Sequence, residues 1–317
     1  MKNIAVINLG YIGDVVNASS VCVALKRAYP DSNLIFVTVP TSVETAKCLP
    51  GVDDVIAFDR YNGHKGLKMF NLAFKIRQKY KLDAAFLLTD NFRCALFSFL
   101  IGAKRRIGRS NEGRDFLLTH KIPFLPEEKS ENVHISDFYL RVLKPILKTV
   151  PDTPSEFIFS EEDKQYAVNL LAKNGYSGED LIGLCPCSAR EFKDWGFDEA
   201  AKFVKYVIQN TDKKVVIVGT KKGQLFSKKL SDQGTTEFID LTCQTSLSQL
   251  AALVSMFKAF VSVDSAPMHI GIAVKTPTVA LFFQNNYKKW GPKDLEKHRL
   301  IFASEIKAEN VIKQLGL

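Results

Sequence analysis

Apolar and polar positions in the first half of the chain follow two alternating patterns. Short apolar, β-branched runs, such as residues 4–9 and 34–39, are typical of strands that are covered on both faces. Between such runs, residues 15–28 and 66–80 place their apolar positions at helical spacing. Repeated strand–helix units of this kind predict a parallel, doubly wound α/β sheet. The same patterns predict further strands at residues 55–58, 84–88 and 106–108, and helices at residues 92–101 and 134–147.

The pattern lapses in the middle of the chain and then resumes. Residues 110–130 are polar and basic, and residues 149–155, TVPDTPS, have the composition of a linker. A second strand–helix series follows, with strands predicted at residues 181–185, 215–218, 238–241 and 260–263. We therefore expect one Rossmann-like domain at residues 1–150 and another at residues 156–317. The last predicted helix, residues 308–315, is a candidate to pack on the first domain.

Residues 260–282, FVSVDSAPMHIGIAVKTPTVALF, combine two buried-strand patterns with a short helix between them. The first strand ends abruptly at Asp264 and Ser265, and serine is a favoured N-cap. Free amides, such as those of Ala266 and His269, should then lie at a helix N-terminus, where the helix dipole also favours an anion. Any capped helix in a strand–helix unit shares much of this pattern. The Asp-Ser-x-Pro-x-His cluster on one turn favours a phosphate-handling site.

A glycine turn that ends in Asp14 follows the first predicted strand. Gly10 and Gly13 lack the spacing of a G-x-G-x-x-G dinucleotide motif, and no acidic residue closes the second strand. In doubly wound folds, however, ligands bind at this carboxyl end of the sheet. A carboxylate there can act as a general base toward an acceptor hydroxyl. The alternative is that Asp14 only balances the dipole at a helix N-terminus.

Composition and charge indicate the broad class of protein and of partner. Hydrophobic residues make up 46% and charged residues 24% of the chain, which is typical of a globular protein. The longest apolar run, residues 94–101, is too short to span a bilayer, and the chain enters a strand pattern without a signal-peptide layout. We therefore expect a cytoplasmic location. The net charge of +9 favours an acidic partner, although no aromatic-interleaved basic motif supports nucleic acid.

The stretch VDSAPMHIGIAVKTPTVALF closely resembles the D-[ST]-[GA]-x-x-H…G-x-P-x-[IV]-x-L-[FY] signature of the heptosyltransferase family, glycosyltransferase family nine. Residues 8–38, NLGYIGDVVNASSVCVALKRAYPDSNLIFVT, look like the N-terminal signature of that family. The resemblance extends over nearly the whole chain. It implies the GT-B fold, in which two Rossmann-like domains face each other across a cleft. It also implies inverting transfer of heptose from ADP-heptose to a sugar of the lipopolysaccharide inner core.

The resemblance carries roles onto particular residues. Asp14 matches the catalytic base of the family. The segment CPCSAREFKDW, residues 185–195, resembles a [ST]-x-x-x-x-K-x-W stretch whose hydroxyl and lysine, here Ser188 and Lys193, hold the donor pyrophosphate. The helix N-terminus at Ser265 and Ala266 and the His269 side chain complete that phosphate site, and Asp264 accepts hydrogen bonds from the donor sugar. Thr245 lies in the loop LTCQTSL, residues 241–247, which matches the adenine-reading loop.

One position departs from the family pattern. Family members carry an acidic residue shortly after the glycine that corresponds to Gly219, where it holds the ribose. Here Lys221, Lys222 and Gly223 follow, and Gln224 is the candidate that replaces the carboxylate by hydrogen bonding. No paired carboxylates of the DxD type are evident, so we expect no obligatory metal and no cofactor.

A basic run that includes Arg105, Arg106 and Arg109 precedes the polar middle segment. These arginines are candidates to bind an anionic glycolipid acceptor or the inner face of the inner membrane, where each basic residue contributes about 1 kcal/mol near anionic lipid. A solvated basic face is the equally balanced alternative.

Other functions stay open at this point. The donor can be a different nucleotide sugar, or the acceptor can be something other than a lipid. A non-hydrolysing sugar-nucleotide epimerase can share the fold. A protein that binds sugar nucleotides without turnover can retain the phosphate-binding helix. Incorporation of the sugar into an acceptor separates a transferase from the last two.

Overall fold

The computed structural model describes residues 1–59, 63, 66–111, 113–129 and 132–317. Glu112 and Ser130, which fall in the predicted polar middle segment, lie outside the described residues. The chain divides into two compact units, residues 1–157 and 158–317. Glu156 explains why the first unit runs past the predicted linker, because its backbone N–H donates to Ser19 Oγ at 2.8 Å.

The described part of the first unit forms a six-stranded parallel sheet with the strand order β3-β2-β1-β4-β5-β6. Its strands are β1 (Asn3–Ile7), β2 (Asn33–Thr38), β3 (Asp54–Ala57), β4 (Ala84–Leu87), β5 (Arg105–Arg109) and β6 (His120–Ile122). Its helices are α1 (Ile12–Ala28), α2 (Val43–Lys47), α3 (Leu67–Lys79), α4 (Phe92–Leu100), α5 (Pro126–Lys129) and α6 (Ile135–Leu140).

The described second unit repeats this strand order in another six-stranded parallel sheet, β12-β11-β10-β7-β8-β9. Its strands are β7 (Leu181–Cys185), β8 (Lys214–Ile217), β9 (Ile239–Asp240), β10 (Ala259–Val263), β11 (Thr278–Phe282) and β12 (Arg299–Phe302). Its helices are α7 (Glu161–Lys173), α8 (Phe197–Asn210), α9 (Lys221–Asp232), α10 (Leu247–Ser255), α11 (Ala266–Ala273), α12 (Tyr287–Trp290) and α13 (Ala308–Leu315).

The core of each unit follows from strand alternation. In the first unit, alternate residues of β1 and β2, such as Ala5, Ile7 and Val37, pack with buried residues of α3 and α4. In the second unit, Leu184 and Val261 pack in the same way with α8 and α9. The doubly wound α/β prediction is confirmed.

Two expectations about elements need correction. The helix predicted at residues 134–147 ends earlier, at Leu140 and a 3-10 turn, since Pro145 has no N–H with which to extend it. The polar middle segment contains β6, whose three residues are too short to show a period. Helix α13 packs on α8, where Glu199 Oε2 accepts the Ala308 N–H at 2.8 Å. The buried side chains of α13 belong to the core of the second unit, and the expectation that this helix packs on the first domain stays a prediction.

Candidate active site

The second sheet has a topological switch point between β7 and β10. From β7 the chain proceeds outward to β8 and β9, whereas from β10 it proceeds the other way to β11 and β12. The connections that follow these two neighbouring strands therefore diverge and leave a crevice at their carboxyl ends, where ligands bind in such folds. The loop after β7 carries Ser188 and Lys193, and the turn after β10 carries Asp264 and Ser265. The structure thus brings these four predicted residues to one place.

Lys193 and Asp264 form an ion pair across this crevice, between Lys193 Nζ and Asp264 Oδ2. Their side chains are only 16% and 8% exposed, respectively. Asn286 Nδ2 also donates to Asp264 Oδ2, at 3.4 Å. The lysine charge is therefore neutralised by a carboxylate in this state, and an anionic ligand that binds Lys193 must compete with Asp264.

The Ser188 loop is held by internal hydrogen bonds. The Ser188 N–H donates to Asp194 Oδ1 at 2.6 Å, and Ser188 Oγ donates to the Arg190 carbonyl at 2.8 Å. Asp194 Oδ2 also pairs with Lys222 Nζ at 3.3 Å. Asp194 therefore ties the loop after β7 to the start of α9, although its role was not predicted from sequence. Its position on a polar strand-end loop is the signal that could have identified it.

The turn after β10 matches the predicted capped helix only in part. Ser265 is at the N-cap of α11 with an extended backbone, but its Oγ lies 3.3 Å from Ser262 Oγ and does not cap an amide. The His269 N–H was expected to be free, and it instead donates to the Ser265 carbonyl at 3.4 Å as part of the helix. Ala266 begins the helix, where backbone amides have no intrahelical partner. The His269 ring is buried and edge-on to Trp290.

Gln224 and Thr245 lie farther along the same edge of the sheet. Gln224 is exposed in the first turn of α9, after β8, and Thr245 is half-buried in the loop after β9. The Cys243 N–H donates to the Gly219 carbonyl at 2.8 Å, which joins these two loops. Gly219 has φ +139°, a conformation that other residues rarely adopt. Because neighbouring strands are about 4.8 Å apart, the predicted donor residues form a strip about 14 Å long from β10 to β9.

Asp14 lies at the corresponding switch point of the first sheet, between β1 and β4. It is half-buried in the first turn of α1, and its Oδ2 accepts the Tyr11 N–H at 3.0 Å. Gly10 is required beside it, because a Cβ at that position would lie 2.5 Å from the Asp14 Cβ. Asp14 thus occupies a helix N-terminus, which is the alternative role that the sequence left open. Its carboxylate is held at the carboxyl edge of the sheet.

Tyr139 is a second partner of Asp14 that no sequence pattern indicated. Its hydroxyl donates to Asp14 Oδ1 at 2.9 Å, from α6 and 125 positions away in the chain. Burial, together with the nearby Asp14 carboxylate, raises the pKa of Tyr139 well above its usual value. The hydroxyl therefore keeps its proton and remains a donor. Each carboxylate oxygen of Asp14 accepts one hydrogen bond, which fixes its rotamer.

The three arginines predicted to bind the acceptor do not lie together. Arg105 is exposed and pairs in register with Ala84 at the amino end of the sheet, opposite to the edge that carries Asp14. Arg106 uses its guanidinium to donate to the carbonyls of Leu117 and Ala103. Only Arg109 is at the carboxyl end of β5. The structure therefore separates this predicted group, because four residues of strand span about 13 Å.

Arg109 is fully enclosed in a cluster of charges at the ends of β4 and β5. Its guanidinium lies 3.1 Å from the centroid of the Phe138 ring and within 3.9 Å of carboxylate oxygens of Asp90 and Glu128. Arg114 Nη2 pairs with Asp90 at 2.8 Å. Burial lowers the pKa of Arg109 to about 10, so the group is still charged at neutral pH. Arg141 also pairs with Glu128, so the cluster holds three guanidinium groups and two carboxylates beside Tyr139.

Two other features are absent from the described residues. Among them, no group of three or more His, Cys, Asp or Glu side chains is placed to hold a metal ion. No helix within the described ranges is long and apolar enough to cross a membrane.

Comparison with known proteins agrees with this architecture. A family model described as glycosyltransferase family 9 (heptosyltransferase) matches residues 69–314. The chain is 25% identical over 298 residues to the lipopolysaccharide core heptosyltransferase OpsX of Haemophilus influenzae, covering 92% of this chain and 82% of that protein.

Two solved structures cover nearly the whole chain. The ADP-heptose lipopolysaccharide heptosyltransferase II of E. coli has a TM-score of 0.82 at 24% identity, covering 100% of this chain and 98% of that one. A family 9 glycosyl transferase from Veillonella parvula has a TM-score of 0.86 at 25% identity, covering 99% and 91%. These likenesses confirm the predicted GT-B class. Since the family model matches well over half of its residues, the chain belongs to glycosyltransferase family 9, the heptosyltransferases.

Proposed function

We propose that this glycosyltransferase moves heptose from ADP-heptose to a sugar of the lipopolysaccharide inner core, with inversion and without a metal. The relatives are described as a lipopolysaccharide core heptosyltransferase and an ADP-heptose heptosyltransferase, which supports both the donor and the acceptor class. We assign the donor to the second unit and the acceptor to the first. The proposed location is cytoplasmic, on the inner face of the inner membrane.

One observation carries the assignment of the donor site: Lys193 meets Asp264 next to the N-terminus of α11 at the second switch point. A diphosphate is attracted both by the lysine and by the amides at the start of the helix. On binding, Lys193 exchanges its pairing with Asp264 for the phosphates. Asp264 is then available to accept hydrogen bonds from the heptose hydroxyls.

The remaining donor residues follow in order along the sheet edge. Ser188 adds a hydroxyl at the phosphates, and His269 adds a ring N–H. Gln224 contacts the ribose, and the loop at Thr245 contacts the adenine. Hydrogen-bond donors that are already in place where negative charge develops on the departing ADP stabilise the transition state without a metal.

Asp14 is the proposed general base. It takes the proton from the acceptor hydroxyl, whose oxygen attacks the anomeric carbon on the side opposite to ADP. The bond from that carbon to the ADP oxygen breaks, and ADP leaves with the bonding electrons. The hydrogen bonds from Tyr139 and from the Tyr11 amide hold the carboxylate for this step.

The acceptor contacts are not assigned to the arginines of β5. Arg105 and Arg106 lie toward the opposite edge of the sheet from Asp14, and Arg109 is fully enclosed. Arg109 instead has a supporting role beside Asp90 and Tyr139.

The direct test combines purified protein, ADP-heptose and inner-core lipopolysaccharide that lacks heptose. We expect one heptose to be added to the acceptor and one ADP to be released for each addition, with inverted anomeric configuration by NMR. Asp14→Asn is the matched inactive control. Release of ADP without modified acceptor would indicate hydrolysis, and epimerisation of an added UDP-sugar would indicate an epimerase. Binding of ADP-heptose without any turnover would overturn the proposal in favour of a binding protein.

A further inference from the structure

The first unit carries a surface of exposed apolar side chains, which we call the aromatic face. It is formed on α3, on α4 and just beyond them by Leu67, Phe70, Phe74, Phe92, Phe99 and Phe116.

Helix α3 is apolar on two opposite sides. Met69, Ala73 and Ile76 are buried in the core of the unit. On the other side, Leu67 is 81% exposed and Phe74 is 61% exposed. An ordinary surface helix has polar residues on its outer side, so this outward apolar stripe is not explained by packing within the unit.

Basic residues flank the stripe, and acidic residues are absent from both helices. The α3 sequence LKMFNLAFKIRQK contains four basic residues and no Asp or Glu, and the α4 sequence FRCALFSFL has one arginine and no acid. Lys68 and Lys75 are exposed and form no ion pair with any residue that the structure describes. Helical spacing places both lysines on one side of the stripe. Arg106 extends the basic character to α4, where its guanidinium lies 5.4 Å from the Phe99 ring centroid.

The aromatic face reaches the edge of the sheet that carries Asp14. Helices α3 and α4 pack together on one side of the sheet. In a parallel sheet, each helix begins near the carboxyl ends of the strands, so Leu67 and Phe92 lie toward that edge. The Phe92 ring is 6.3 Å from that of Phe116.

We propose that the aromatic face docks the protein on an anionic phospholipid surface. Exposed Phe and Leu beside Lys and Arg, without acidic residues, is the composition of helices that lie in the membrane interface. A second copy of the chain would bring like charges together at this face, which disfavours self-association. Docking here would hold the acceptor edge of the first unit near the bilayer. The inference goes beyond the proposed reaction, and no catalytic step depends on it.

The test is co-sedimentation of the full chain with vesicles of phosphatidylcholine, with and without phosphatidylglycerol. We expect binding only with phosphatidylglycerol, weakened by salt. Lys68→Gln with Lys75→Gln should weaken it roughly 30-fold, since each basic residue contributes about a fivefold factor. Phe70→Ser with Phe74→Ser should weaken it at least about tenfold. The control is Leu225→Ser with Lys228→Gln on α9, where Leu225 is similarly exposed, and it should bind like the parent protein.

Several outcomes would overturn the proposal. One is that the parent protein fails to bind phosphatidylglycerol vesicles at all. Another is that the control loses as much binding as the two test pairs. A third is a dimer in light scattering that the phenylalanine pair abolishes, which would assign the face to a second copy. All substituted side chains are exposed, so unchanged thermal melting should accompany each variant, and the readout needs neither donor nor acceptor.

Discussion

Replacing Asp264 with asparagine tests how the second unit handles a diphosphate. In the structure, Asp264 neutralises Lys193, and both side chains are largely buried. Asparagine keeps the size of the side chain and a hydrogen-bonding oxygen for Lys193, but it removes the negative charge. The lysine is then free of its competing carboxylate when ADP arrives. Asp264→Asn should therefore bind free ADP more tightly, even though a residue of the site has been altered.

The magnitude follows from Coulomb's law. At an effective dielectric constant of about 20, two unit charges about 8 Å apart interact by about 2 kcal/mol. Removing that repulsion should tighten ADP binding by roughly ten- to thirtyfold. Binding of ADP-heptose gains the same relief of charge repulsion. It also loses the charged hydrogen bonds from the sugar to Asp264, which contribute about 1.5–3 kcal/mol. The preference for ADP-heptose over ADP should therefore fall by roughly tenfold or more.

Calorimetric titration of each variant with ADP and with ADP-heptose measures this preference. Lys193→Ala is the complementary variant. It should weaken the binding of both ligands by about 1.5–3 kcal/mol, because both carry the phosphates. Asp232→Asn, at the exposed end of α9, removes a carboxylate away from the proposed site and serves as the charge-matched control. If Asp264→Asn lowered the affinity for ADP and for ADP-heptose equally, Asp264 would only support the turn after β10. The exchange of partners by Lys193 would then have to be abandoned.

Three further predictions concern the chemical step. Asp14→Asn should lower turnover by about 10²–10⁴-fold and leave ADP-heptose affinity nearly intact, and near-normal turnover would remove Asp14 as the base. Tyr139→Phe should lower kcat about tenfold, because the carboxylate loses a hydrogen-bond donor that fixes its rotamer. An unchanged kcat would leave Tyr139 a purely structural role. Asp90, Arg109 and the Asp14 carboxylate are the charged groups that act on Tyr139 and must stay unchanged in this comparison. Activity should persist in excess EDTA, and loss that magnesium restores would contradict metal independence.

Much of the donor edge was predictable from sequence because its signal is local. A strand buried on both faces reads as an unbroken apolar run, and the first polar residue after it marks the edge where ligands bind. This is why Asp264 after β10 and Ser188 after β7 were placed correctly at the carboxyl ends of buried strands. Asn286, which contacts Asp264, follows β11 in the same manner, so the same signal was present for it.

The acceptor edge was less predictable because its contacts are distant in the chain. Tyr139 reaches Asp14 from 125 positions away, and no periodicity encodes such a pairing. The expected grouping of the three arginines was wrong for a different reason. Neighbours in sequence on a strand are spread along its length and alternate between faces, so Arg105, Arg106 and Arg109 were grouped by sequence but separated by the strand.

The two units show how one topology carries two kinds of chemistry. Both sheets have the same strand order, and both place a loop and a helix start at the switch point. At the first switch point, hydrogen bonds to both oxygens fix one carboxylate in place at the edge of the sheet, where an acceptor hydroxyl can meet it. At the second, a lysine lies beside a helix N-terminus and forms an ion pair with a carboxylate, which a diphosphate can replace as its partner. The fold therefore determines where a ligand can bind, and the few side chains at each edge determine which ligand it is.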